Sequence, residues 1–294
     1  MIPVMNIVAW GNVAPWAEQR QIEQDLIISR ALVEIFSDPF LAAELRFRGG
    51  TALNKLHFPA PLRYSEDIDL VRTTSGPIGP ILDGLREVLE PWLGRAAFDQ
   101  SQVAPKLRFR VEAEDKTSPA PLRLKIEINT REIEAYAGTH NVPYRVENPW
   151  FTGETEIPTF SREEMLATKL RALLQRSKGR DLIDLSHALA VFDGLDPATV
   201  IELFLRYLEA GELAISRAEA ERRMFQKLVN PDFLTDVRPL LAAAETDRLT
   251  DEAIRDTFAE VFSRLIAGLP GKPWARTVEM AERFGVDLGE GRLR

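Results

Sequence analysis

Apolar residues recur along this chain with two periods, and the point where one gives way to the other divides it. Between residues 16 and 36, Ile22, Leu26, Ile27, Ala31, Leu32 and Ile35 fall three or four apart, predicting a helix with one buried face. Ser37 and Asp38 follow, residue types that cap a second short helix. Helical spacing returns at Leu82, Leu85, Val88 and Leu89, after a breaker of Ser75, Gly76 and Pro77. The period then shortens to two: residues 107–111 alternate apolar side chains with arginine. Leu122, Leu124, Ile126 and Ile128 likewise alternate with Arg123, Lys125, Glu127 and Asn129. Residues 143–160 stay strand-like with interspersed turn residues. From Ser161 onward the pattern is almost wholly helical, broken near 194–197, 230–231 and 268–273. The expectation is an α/β (α+β) catalytic domain at 1–160 and a helical domain at 161–294 that contributes to the active-site cleft.

Composition narrows the class. The chain has 294 residues, 45% of them hydrophobic, enough to bury one large core or two ordinary ones. The absence of cysteine excludes disulfides, thiolate metal sites and a cysteine nucleophile, and fits a cytoplasmic location. The apolar start lacks a basic leader region, and charges from Glu18 onward interrupt any membrane span, so no membrane partner is expected. A net charge of -8 argues against general nucleic-acid coating, which depends on Lys and Arg displacing counterions. Between residues 162 and 180, however, six basic side chains face two acidic ones. That stretch suits either one cleft that meets polyphosphate or RNA, or a solvated helix face.

The candidate chemistry lies in residues 48–70, RGGTALNKLHFPAPLRYSEDIDL. Asp67 and Asp69 are spaced so that a strand presents both carboxylates on one face while Ile68 and Leu70 enter the core. Hard paired oxygens suit Mg2+, which binds through one or two carboxylates and keeps other positions for water and substrate phosphates. Gly49 and Gly50 precede an apparent short helix, where bare backbone can approach a phosphate closely. Arg48 and Lys55 flank this turn as candidates for a triphosphate tail. Arg63 and Ser65 share a face with Asp67 if the strand reaches back that far. Glu127, on the polar face of its own strand, is a candidate third carboxylate, unless it merely pairs with Arg123 or Lys125. Glu132 and Glu134 are weaker rivals. The three histidines lack metal-ligand spacing, and no serine-hydrolase or Walker string is present.

A second string, MLATKLRALLQRSKGRDLIDL, places Lys169 on a helix ahead of a break at 177–179. Asp181 and Asp184, three apart beyond it, can face one groove. The order Gly-Gly-Thr-Ala-Leu, then Arg63, Ser65, Asp67, Ile68 and Asp69, resembles the polymerase-beta-like nucleotidyltransferases. Together with Lys169 and the Arg-Asp-x-x-Asp-Leu string, it is similar to the AbiEii/AbiGii abortive-infection toxins and their mycobacterial MenT relatives. The resemblance spans roughly residues 48–185. It implies a polymerase-beta-like core with a mixed sheet and a third carboxylate on a later strand of that sheet, which favours Glu127. It implies Asp67, Asp69 and Glu127 as Mg2+ ligands, and Gly49, Gly50, Thr51, Ser65 and Lys169 as the nucleotide site. Lys169 would clamp phosphate, and Asp184 would be an active-site polar residue. It further implies a toxin that uses a nucleoside triphosphate to modify an RNA acceptor, most plausibly the tRNA 3′ end, and so inhibits translation, with a cognate antitoxin as partner. Two other readings stay open: transfer to a small molecule or protein hydroxyl, and a non-catalytic binding module.

Overall fold

The alternating segments pair into one seven-stranded mixed sheet, and the order of its strands decides where the polar residues meet. In chain order the first half runs α1 (Val4–Trp10), α2 (Gln19–Ser37), α3 (Pro39–Glu44), β1 (Leu45–Arg48) and α4 (Gly49–Ala52), which continues as a π turn over Leu53–His57. It goes on through β2 (Asp67–Arg72), α5 (Gly79–Leu93), β3 (Ala97–Asp99), β4 (Lys106–Val111), β5 (Leu122–Asn129), β6 (Thr139–Asn148) and β7 (Phe151–Phe160). Across the sheet the order is β3-β4-β5-β2-β1-β7-β6. The computed structural model describes residues 2–101, 103–115, 120–230, 233, 236–242 and 250–289. It comprises two units, Met1–Ser161 and Arg162–Arg294.

β2 is central, antiparallel to β1 on one side and parallel to β5 on the other. Ile68, Leu70, Leu124, Ile126 and Ile128 are all buried, so the period-two pattern does set which face enters the core. α2 starts at Gln19 rather than near residue 16, because Glu18 and Gln21 form a reciprocal capping box there. Its buried side, including Leu26, Ile27, Ala31, Leu32 and Ile35, covers the sheet. Asp38 caps α3 by accepting from the Leu41 amide. The strand-like stretch after residue 143 is the second part of a longer hairpin, β6 with β7, which begins at Thr139. Pro143 is tolerated inside β6 because this strand is an edge, with only one ladder to supply. The other edge strand, β3, is short and exposed, and its sequence carries no alternation to reveal it.

The second unit is built from α6 (Arg162–Gln175), α7 (Gly179–Val191), α8 (Pro197–Ala210) and α9 (Arg217–Val229), then α10 (Asp251–Val261) with a π turn at Phe262–Ile266, and α11 (Thr277–Phe284). The break at 194–197 is a helix start: Asp196 accepts from the Ala198 and Thr199 amides, and Pro197 takes the first helical position, where its missing N–H costs nothing. The break at 230–231 follows α9, with Pro231 outside the described residues. Phe225, Phe258 and Phe262 pack ring against ring with centroids 5.3 to 5.8 Å apart, forming an aromatic centre for this unit.

Candidate active site

Register brings the acidic residues together. On β2, Asp67 stands opposite Lys125 of β5, and Asp69 opposite Glu127. The intervening Ile68 and Ile126 point into the core, so the four polar residues share the other face. From the far side of β2, Arg48 of β1 lies opposite Asp69. The second acidic residue of the strand is thus flanked by a carboxylate on one neighbour and a guanidinium on the other. Arg48 itself pairs with Glu132 at 3.1 Å, which gives that glutamate a partner of its own.

The glycine turn closes over this face. α4 begins at Gly49 itself, with Arg48 as its extended N-cap, so the glycines form the first turn rather than precede it. Gly49 has φ +88°, and a β-carbon there would lie 2.2 Å from Asp69 Oδ2. Both the backbone angle and the close carboxylate require glycine. A β-carbon on Gly50 would come 2.5 Å from Arg63 Nη2. Arg63 and Ser65 precede β2, which begins only at Asp67, so they do not extend its face. Other bonds place them. Asn54 Oδ1 accepts the Leu62 and Arg63 amides, and its own amide donates to the Gly50 carbonyl. The Thr51 hydroxyl meets Ser65 at 2.8 Å and donates to the Asp67 carbonyl. Thr51, Arg63 and Ser65 also line a cavity of about 310 Å3 together with Trp10, Trp16 and Tyr144. Lys55 reaches that cavity, yet its ammonium is held by Asp25 and Ser29, each at 2.9 Å, and is nearly buried.

The charges on the β2–β5 face are unevenly balanced. Loss of solvent, then the neighbouring Asp67 charge, push the Asp69 carboxyl above the ordinary carboxylate range; Glu127 adds to this while Lys125 and Arg48 oppose it. Lys125 is the residue that sequence reasoning used only as a rival partner for Glu127. Its Nζ lies 2.8 Å from Asp67 Oδ2 and 3.3 Å from Glu127 Oε2, bridging two strands. Burial alone would depress its pKa, but the hydrogen bond and charge of Asp67, then the charges of Glu127 and Asp69, hold it above the usual lysine value. Lys106 on β4, opposite Glu127, adds a second ammonium at 3.5 Å. A strand lysine two residues before a candidate carboxylate was the available signal, since both must share one face.

Among the described residues, no three His, Asp or Glu side chains converge closely enough to hold a metal ion as the structure stands. The Lys125 ammonium lies between Asp67 and Glu127. The donor set is nonetheless all carboxylate oxygen, on adjacent strands in matched register, which fits a hard divalent cation.

In the helical unit, Lys169 is buried between Asp181 Oδ1 at 3.1 Å and Asp184 Oδ2 at 2.7 Å, and both aspartates are fully buried. Arg176 adds a bidentate pair to Asp181, at 2.7 and 2.9 Å. Burial raises the Asp181 pKa, but Lys169 and Arg176 outweigh it and hold that carboxyl below its ordinary range. The basic run 162–180 is therefore no simple solvated face: its central lysine is internal, and α6 to α7 is pinned across the 177–179 break.

A central strand that opens on paired acidic residues, under a glycine turn, in a mixed sheet is an arrangement suited to a divalent cation and phosphates. The fold is that of MenT4, a nucleotidyltransferase toxin from Mycobacterium tuberculosis H37Rv, at TM-score 0.62 and 17% identity over 99% of this chain and 95% of that one. JHP933 from Helicobacter pylori aligns at TM-score 0.47 and 18% identity, over 93% of this chain and 94% of that one. No curated protein matches in sequence. The family model of the nucleotidyl transferase AbiEii toxin, of type IV toxin–antitoxin systems, matches residues 30–278, and the chain belongs to that family.

Proposed function

We propose that this toxin is a Mg2+-dependent enzyme that transfers a nucleotide from a nucleoside triphosphate to an RNA acceptor, most plausibly the tRNA 3′ end. Translation would thereby stop in the cytoplasm until a cognate antitoxin intervenes. The observation that carries the reading is the register of Asp67 and Asp69 against Lys125 and Glu127 beneath Gly49. In the reaction, the acceptor hydroxyl oxygen bonds to the α-phosphorus while the bond from that phosphorus to the bridging oxygen breaks. Pyrophosphate leaves, and the hydroxyl proton passes to a carboxylate of the site. Mg2+ held by Asp67, Asp69 and Glu127 would supply charge stabilisation at the phosphates and lower the pKa of the attacking hydroxyl. Gly49, Gly50, Thr51 and Ser65 would line the triphosphate, with the glycine-turn amides as donors and the Thr51 hydroxyl holding the turn to the Asp67 carbonyl. The family resemblance assigns Lys169 to phosphate and makes Asp184 an active-site polar residue; within the helical unit the two side chains pair at 2.7 Å. Among the described residues no helix is long and apolar enough to cross a membrane, which is compatible with a cytoplasmic RNA target.

The test is to incubate the protein with total RNA, with total protein and with each α-labelled ribonucleoside triphosphate in turn. Label in tRNA, lost with chelator, supports the reading. Label only in protein or in a small molecule would move the acceptor to another class.

A further inference from the structure

Lys125 stands inside the carboxylate site rather than beside it. Three acidic side chains on adjacent register positions of one sheet face repel one another, and the structure answers that repulsion with an ammonium from the same face. We propose that Lys125 is a built-in counter-ion that closes Asp67 and Glu127 in the absence of substrate and yields to a divalent metal only when a triphosphate arrives to receive its charge. The inference rests on the reading of this face as a metal–nucleotide site.

Three observations carry it. Asp67 has no ion-pair partner except Lys125 among the described residues, so a metal at Asp67 must displace this ammonium or accept its repulsion. Glu127 keeps a second cation, Lys106, at 3.5 Å, so it is not stranded when Lys125 leaves. The Lys125 side chain is 28% exposed on a flexible four-carbon stem, and it can turn towards solvent or a bound phosphate. Lys169 is the contrast: its side chain is 8% exposed between two fully buried carboxylates and has nowhere to turn. A displaced ammonium beside a triphosphate is a favourable pair, whereas one beside a bare metal is not. Metal and nucleotide should therefore bind with positive coupling, and the coupling should run through Lys125.

The experiment reads Mn2+ binding by electron paramagnetic resonance, without RNA, with and without the α,β-methylene analogues of the four ribonucleoside triphosphates. Wild type, Lys125→Met and Lys125→Arg are compared, with Lys125→Gln in place of the Met variant if that one fails to fold. Wild type is expected to bind Mn2+ weakly alone and roughly tenfold or more tightly with an analogue. The Met or Gln variant should bind Mn2+ alone about tenfold more tightly than wild type and gain less from the analogue, while Arg keeps the wild-type coupling. Equal or weaker Mn2+ binding by the neutral variants, or undiminished coupling, would overturn the proposal and leave the metal site standing. If no form binds Mn2+ even with an analogue, the metal reading fails and this inference falls with it.

Discussion

Gly49 and Asp69 occupy space that a single additional carbon would contest: a β-carbon on the glycine would sit 2.2 Å from the aspartate Oδ2. The close approach leaves no room for a side chain between the start of α4 and the Asp69 carboxylate on β2. Gly49→Ala should therefore cost stability twice, through φ +88° and through the clash, by about 1–3 kcal/mol in all. Urea denaturation checks the stability, and nucleotide transfer should fall with it. A variant as stable and as active as wild type would show that the turn can move away from Asp69.

Asp67→Asn and Asp69→Asn should each abolish transfer, a loss on the order of a thousandfold or more, without unfolding the chain. Both side chains lie on the polar face, so no core contact is lost. Circular dichroism melts alongside the labelled-transfer assay separate the two effects. Retained activity in either folded variant would remove the metal-ligand assignment.

The elevated Asp69 pKa has a definite sign in stability. Between the ordinary value of 3.8 and the raised folded value, the native state holds a proton that the unfolded chain has released, so stability falls as pH rises through that window. In chelator, Asp69→Asn should melt close to wild type at the acid end and increasingly above it as pH climbs. Parallel melting curves at all pH values would show that the carboxyl is not strained in the free protein.

Removing Lys169 should be costly in a way that removing Asp67 is not. Lys169→Met removes the ammonium between two fully buried aspartates, of which Asp181 keeps Arg176, and about 3–5 kcal/mol of stability should go with it. A loss of transfer in this variant is therefore informative only beside its denaturation curve. Lys169→Met combined with Asp184→Asn should recover part of the stability; no recovery would mean that the cluster is not held by charge.

Most of the fold was legible because most of it obeys one rule at a time. The alternation in residues 122–128 yields β5 with its core and polar faces correctly divided, and the motif order led to the family that the match over 30–278 establishes. What escaped was whatever depends on two distant segments meeting. β3 is short and exposed, and without the β4 ladder it has no reason to be a strand. Lys55 looked available for phosphate because nothing in its own neighbourhood shows Asp25, thirty positions earlier, waiting for it. Arg63 looked like an extension of the Asp67 face, whereas Asn54 draws its backbone aside before the strand begins. Glu127 and Lys125 were visible as a pair on one strand, but their encounter with Asp67 and Asp69 is a matter of parallel register that no local period encodes.

The three strands that carry Arg48, the two aspartates, and Lys125 with Glu127 are consecutive in the interior of the sheet, with two further strands on either side. Their amides should exchange with deuterium only in the slowest, globally unfolding class, while β3 and β6 at the rims fray first. Fraying of the edge strands alone should therefore not take the three central strands apart. Thermal fluctuation, mild denaturant or a nick at an edge strand should leave the carboxylate face assembled. A restraint that acted only by loosening the edge strands should then leave the carboxylate face assembled.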